Sequence, residues 1–202
     1  GRGRHQHQTK SNKEYQYIES FFEFFSVNQC LKSLSMASCD FDDVAVRKFC
    51  YGLKINTTLQ NLNLKDNEIG DSGAEDIAAA FQEGKLRLAQ LLLNDNQIKD
   101  QGAKALAHSI RYLSNYQRTI KELNLNNNLI SADGAFYLGE QLRFNPQMTN
   151  LNLNLNISIP HSLILQINQQ LKYNQIFQEM NFLPQLQKER EHLRRKTAKK
   201  NF

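Results

Sequence analysis

Residues 123–142, LNLNNNLISADGAFYLGEQL, change hydrophobic period in the middle. The first half alternates. Leu123 and Leu125 stand two apart among asparagines, the spacing that puts both side chains on one face of a strand. The second half carries Ala135, Leu138 and Leu142 at steps of three and four, the spacing of one helical face. A strand is therefore expected to turn into a helix within this short stretch. Neither element can bury its apolar side alone, so the stretch needs neighbours of its own kind.

The chain supplies them. Leu59-x-x-Leu62-x-Leu64-x-x-Asn67-x-Ile69 leads to Gly73-Ala74, and Leu88-x-x-Leu91-x-Leu93-x-x-Asn96-x-Ile98 leads to Gly102-Ala103. Ile120-x-x-Leu123-x-Leu125-x-x-Asn128-x-Ile130 leads to Gly134-Ala135. Looser copies flank these, Leu31-x-x-Leu34-x-Met36-x-x-Cys39-x-Phe41 before and Met148-x-x-Leu151-x-Leu153-x-x-Asn156 after. The opening positions 31, 59, 88, 120 and 148 are 28, 29, 32 and 28 residues apart. The helical stripe recurs with them, as Ala74, Ile77, Ala78 and Phe81, and as Ala103, Leu106, Ala107 and Ile110.

The pattern L-x-x-L-x-L-x-x-N/C-x-L resembles the leucine-rich repeat, and the long period with its Gly-Ala helix resembles the ribonuclease-inhibitor-like class. The resemblance covers residues 31–171. It implies an α/β solenoid of about five repeats, with a curved parallel sheet on the concave side, helices on the convex side and helical ends. In that setting the asparagine at 67, 96, 128 and 156 is expected to satisfy backbone groups where the chain leaves the strand. Cys39 fills the same column and is expected to be a buried structural thiol. Gly73, Gly102 and Gly134 are expected to permit tight packing or an unusual dihedral at the helix entry.

Composition bounds the remainder. The chain has 202 residues, 40% of them hydrophobic, and a formal charge of +5, a core-forming rather than a disordered composition. Three cysteines without paired spacing argue for neither a disulfide framework nor a zinc site, and point to reduced thiols in an intracellular protein. The apolar runs are too short for a membrane span, and no signal-peptide core is evident. The first residue is Gly rather than Met, the expectation for a processed product or a fragment.

Four regions are expected. Residues 1–13 are expected to form a disordered polar basic tail, 14–30 an N-terminal helix or cap, 31–171 the repeats, and 172–202 a C-terminal cap and basic helical tail. In the first helix Ile18, Phe21, Phe22 and Phe25 share a face, either as the helix of a preceding repeat or as a lid on the first strand. In the last repeat Ser158 and Ser162 break the pattern, while Pro160 suits a first helical turn. Ile176, Phe177, Met180 and Phe182 are expected to cap that end, with a charged helix from Pro184 onward.

The variable strand positions would line the concave face. Their columns are Ser33, Asn61, Gln90, Glu122, Asn150; then Ser35, Asn63, Leu92, Asn124, Asn152; then Ala37, Lys65, Asn94, Asn126, Asn154; then Ser38, Asp66, Asp95, Asn127, Leu155. This face is rich in amides and has no aromatic anchor or arginine cluster. Its candidate contact residues are Lys65, Asp66, Leu92, Asn94, Asp95 and Asn126. The tail adds Arg190, Arg194, Arg195, Lys196, Lys199 and Lys200, suited to an acidic protein surface or, with less support, to nucleic acid. His108 and His161 lack a triad context, and no catalytic constellation, cofactor or metal motif is found. The expected function is a non-catalytic protein-interaction module or scaffold subunit of a cytoskeletal, ciliary or organellar assembly, in the cytoplasm or an organelle. The same resemblance offers a regulator of an enzyme as the alternative, either an inhibitor or an activator of a small GTPase like the Ran GTPase-activating proteins.

Overall fold

The computed structural model describes residues 12–83, 86–114 and 120–198, and the side chains of 19–23, 25–83, 86–111 and 120–180. Five three-residue strands alternate with helices. In chain order these are α1 (Asn12–Val27), β1 (Ser33–Ser35), α2 (Asp43–Ile55), β2 (Asn61–Asn63), α3 (Asp71–Glu83), β3 (Gln90–Leu92), α4 (Asp100–Ser114), β4 (Glu122–Asn124), α5 (Ala132–Gln141), β5 (Asn150–Asn152) and α6 (His161–Ala198). The strands form one parallel sheet in sequence order, and Leu34, Leu62, Leu91, Leu123 and Leu151 stand side by side in register. A second buried column, Leu64, Leu93, Leu125 and Leu153, lies behind them. The helices close the core with Val46, Phe49 and Leu53 on α2, then Ala74, Ile77 and Phe81 on α3, and the matching residues of α4 and α5. This continuous interior makes the sequence a one-dimensional stack.

The asparagine column is a hydrogen-bond ladder. Asn96 Nδ2 donates to the carbonyls of Leu93 and Asn94 in its own repeat and of Leu64 in the preceding one, while its Oδ1 accepts from Ile69 N–H. Asn67, Asn128 and Asn156 repeat the arrangement. Each buried amide thereby pairs groups that would otherwise lack partners inside the turn. Cys39 departs from expectation. It is exposed, because no earlier repeat stacks on its turn, and its Sγ–H points at Ala37 O, 3.4 Å away.

A second ladder was not legible in the sequence. Asp43, Asp71 and Asp100 each open a helix, and each carboxylate accepts N–H groups at the start of the next repeat's helix. Asp71 Oδ1 takes Lys99 N–H and Gly102 N–H, both at 2.8 Å, where the next helix presents its positive end. This explains the glycines. A Cβ on Gly102 would sit 2.8 Å from Asp71 Oδ1 and 2.8 Å from Ala74 Cβ, and one on Gly134 would sit 2.5 Å from Asp100 Oδ1. Close approach is the reason for glycine at these positions, since no glycine has a positive φ among the described residues.

The ends differ in construction. α1 joins the helix row as the helix of a strandless first repeat. Phe22 and Phe25 pack on Phe49 of α2 with ring centroids 5.0 and 5.3 Å apart. Phe21 points outward, 41% exposed, rather than sharing that face. At the other end α6 is one unbroken helix of 38 residues that runs through Pro184, so the expected boundary between 171 and 172 falls inside it. Pro160 sits just before it, and its carbonyl accepts from Leu163 and Ile164 N–H. The capping stripe is Ile167 and Leu171, with Leu163 and Ile164 partly buried, and it continues as amides. Asn174 Nδ2 donates to the carbonyls of Leu142, Asn145 and Met148, and Gln178 Nε2 to that of Pro146. Ile176, Phe177 and Met180, expected to cap, fall off this stripe by helical phase and are exposed. The side chain of Phe182 lies outside the described residues.

Two stability predictions follow from the ladders. Asn96→Ala strands a buried N–H and carbonyls of two repeats, so urea denaturation should show a loss of about 1–3 kcal/mol, against less than about 0.5 for the neighbouring exposed Gln97→Ala. Equal midpoints for the two would contradict the ladder. Burial raises the Asp100 carboxyl, but the Ser131 hydroxyl, the N–H groups of Ser131 and Gly134, and nearby Lys104 together hold it below its ordinary value. A depressed folded-state carboxylate contributes stability above its unfolded value of about 3.9 and loses it as pH falls through the lower folded value. Asp100→Asn, which keeps an acceptor oxygen but cannot titrate, should therefore lose less stability than the parent between pH 4 and 2.

Candidate functional site

Several side chains of the concave columns bond to one another. Asn61 Nδ2 donates to Ser33 Oγ at 3.0 Å, Asn63 Nδ2 to Ser35 Oγ at 3.1 Å, and Gln90 Nε2 to Glu122 Oε2 at 2.8 Å. Asn63, Asn124 and Asn152 each accept, through Oδ1, the N–H two residues on, turning the chain out of the strand. Of the sequence candidates, Lys65, Asn94 and Asp95 come together. Lys65 Nζ lies 3.9 Å from Asp95 Oδ2, and Asn94 Nδ2 and Asn127 Nδ2 donate to that carboxylate at 2.8 and 2.7 Å. The Asn127 bond, against burial and with help from Asn94 and Lys65, keeps Asp95 below its usual range. Asn94 is 8% exposed, so its amide serves this cluster and does not project outward. Leu92 is half-buried, and Asn126 is partly exposed.

The fourth column also meets a backbone requirement. Ser38, Asp66, Asp95, Asn127 and Leu155 all have φ between 52° and 59°. Asp and Asn tolerate this left-handed region through local hydrogen bonding, which accounts for their recurrence. Asp66 Oδ2 accepts from Ser38 Oγ at 2.7 Å. Leu155 is the departure, a bulky residue at φ 59° that is also 67% exposed.

The tail candidates Arg190, Arg194, Arg195 and Lys196 lie on α6, with side chains outside the described residues, and Lys199 and Lys200 lie outside them altogether. His108 Nδ1 is 3.3 Å from Gln82 Nε2, and His161 is exposed at the start of α6. Among the described residues no three His, Cys, Asp or Glu side chains gather to hold a metal, and no helix is long and apolar enough to cross a membrane.

Three surfaces escaped the sequence reading. On the convex side Phe136, Tyr137 and Phe144 are about half exposed. Lys104 Nζ stands 4.9 Å from the Tyr137 ring centre and Arg111 Cζ 4.5 Å from that of Phe144. The signal was available, since all three rings fall off the Ala135, Leu138, Leu142 stripe. On the loop edge Leu129, Leu155 and the 97% exposed Ile157 replace the polar residues of earlier repeats. Beyond β5 a groove of about 810 Å³ runs between the strand and α6, and its polar lining includes Lys121 and Lys172.

Leu155→Asn relieves the left-handed leucine and should raise stability by about 1 kcal/mol, or about 2–4 °C in Tm. A lower or unchanged melting temperature would show that residue 155 carries no strain.

A family model described as a leucine rich repeat matches residues 27–50, 56–78, 90–107 and 116–139. Ribonuclease inhibitor of Mus musculus is 29% identical over 113 residues, which are 56% of this chain and 24% of that protein, so the chain spans about a quarter of that relative's length. Among solved structures, actin-binding site 2 of leiomodin-1 is similar with a TM-score of 0.71 at 16% identity, covering 89% of this chain and 99% of that one. The tropomodulin C-terminal domain of Caenorhabditis elegans has a TM-score of 0.69 at 13% identity, covering 83% and 98%. At these identities the likeness to the two structures is one of fold.

Proposed function

We propose, from the premise that this chain belongs to the leucine-rich-repeat proteins of the ribonuclease-inhibitor-like class, that it is a protein-binding module of the actin cytoskeleton. The observation that carries the reading is the ridge on α4 and α5. Exposed Phe136, Tyr137 and Phe144 flanked by Lys104 and Arg111 have the aromatic and cationic composition of interface anchors. The solved neighbours support the setting, since one of them is titled as an actin-binding site and matches along nearly its whole length.

In this reading the concave face, with Lys65, Leu92 and Asn126, shapes the contact but supplies little affinity, because it carries no aromatic or arginine anchor. Residues 184–202 bring seven basic side chains against two acidic ones, and add salt-sensitive attraction to an acidic partner surface.

Co-sedimentation with actin filaments and titration of labelled actin monomers test the proposal. Binding of the intact chain should weaken at least about tenfold in Phe136→Ala/Tyr137→Ala, and the version lacking residues 184–202 should lose most of its salt dependence. Absence of binding to either form of actin would overturn the cytoskeletal assignment. Full binding by the double variant would overturn the ridge.

A further inference from the structure

We propose that the groove between β5 and α6 receives an extended acidic peptide segment of a partner protein as a sixth parallel strand. This rests on the reading of the chain as a protein-binding module and adds a surface separate from the ridge. β5 is the last strand of the sheet, and among the described residues no strand lies beyond it. The ladder tells which of its backbone groups face that gap. On β4, Lys121 O accepts from Thr149 and Asn150 N–H at 2.9 and 3.0 Å, and Leu125 N–H donates to Asn152 O at 2.8 Å. β4 and β5 pair Glu122 with Asn150 in register, so the equivalent groups on β5 run from Thr149 O through Leu151 to Leu153 N–H.

α6 satisfies one end of this edge. Gln175 Nε2 donates to Thr149 O at 3.1 Å, in the place where the next strand's N–H would donate. Farther along, the 810 Å³ groove lies between helix and strand and borders β5 from Thr149 to Asn154. An added strand needs a spacing of about 4.8 Å and hydrogen bonds from alternate residues, which an extended peptide supplies and a helix does not.

The lining selects the sequence of that peptide. On the core side, partly buried Ile164 offers an apolar seat for alternate side chains. The remaining side chains meet Lys121 and Lys172, both exposed and neither paired with a carboxylate among the described residues. Glu122, the carboxylate of the groove, accepts from Gln90 and is outnumbered by the two lysines. The charge therefore favours an acidic strand, and disfavours the chain's own basic residues 1–11 as occupant.

The test uses the full chain and a fluorescein-labelled eight-residue peptide of alternating valine and glutamate, read by fluorescence polarisation. Two control peptides accompany it, one N-methylated at alternate backbone nitrogens and one with lysine in place of glutamate. Saturable binding is expected, weakened at least about tenfold by N-methylation and several-fold by Lys172→Glu, with slowed hydrogen exchange at the Leu151 and Leu153 amides. Equal affinity for the N-methylated peptide, preference for the lysine peptide, or no binding at millimolar protein would overturn the proposal. The two readings separate cleanly. Actin binding without peptide binding sinks the groove alone, whereas peptide binding retained in Phe136→Ala/Tyr137→Ala, with actin binding absent throughout, sinks the cytoskeletal assignment alone.

Discussion

The buried backbone at the strand exits is the constraint on which the rest of this molecule depends. A chain that leaves a three-residue strand, passes through a left-handed residue and re-enters the core exposes N–H and C=O groups where water cannot reach them. The asparagine at 67, 96, 128 and 156 resolves this by binding both its own turn and the preceding one. Each repeat is thus completed by a side chain from the next. The aspartate ladder performs the same service at the helix starts, in the opposite direction along the chain, from Asp43, Asp71 and Asp100 forward. Together the two ladders couple every internal repeat to both neighbours through directional bonds as well as through apolar contact. The aspartate ladder ends at α5, which opens with Ala132 and offers no carboxylate to α6.

The leucine and asparagine columns were legible because their logic is local. Strand alternation and the fixed offset to the asparagine lie within ten residues. The aspartate ladder was not, because Asp71 meets Gly102 across 31 positions and its spacing resembles any helix-opening acid. The glycines showed that something approached closely without showing what. The fourth concave column illustrates a different failure. Asp66, Asp95 and Asn127 looked like a polar face, yet their recurrence reflects a dihedral that other residues adopt at a cost. A charged helix was expected from Pro184 onward, and it is the continuation of the helix that starts at His161. Ile176 and Phe177 suggested a cap by their apolarity, although their helical phase relative to Ile167 and Leu171 turns them outward.

In the concave columns several side chains bond to one another, while further exposed apolar or basic groups lie on the outer flank of α5, along the loop edge of the last two repeats, and beside β5. All three fall in the C-terminal half. At the N-terminal end phenylalanines of α1 pack on α2 in the helix row, and burial pushes the Cys50 thiol there well above its ordinary range.

The length of α6 has a geometric consequence. At about 1.5 Å per residue its 38 residues extend about 57 Å, whereas five strands about 4.8 Å apart span only about 19 Å. The terminal helix is thus some three times as long as the array it closes. A basic segment carried on such a rod sits at a fixed bearing from the solenoid, unlike one tethered by a coil that samples every direction. The helix thus sets a long, defined separation between the repeat stack and the residues near its far end.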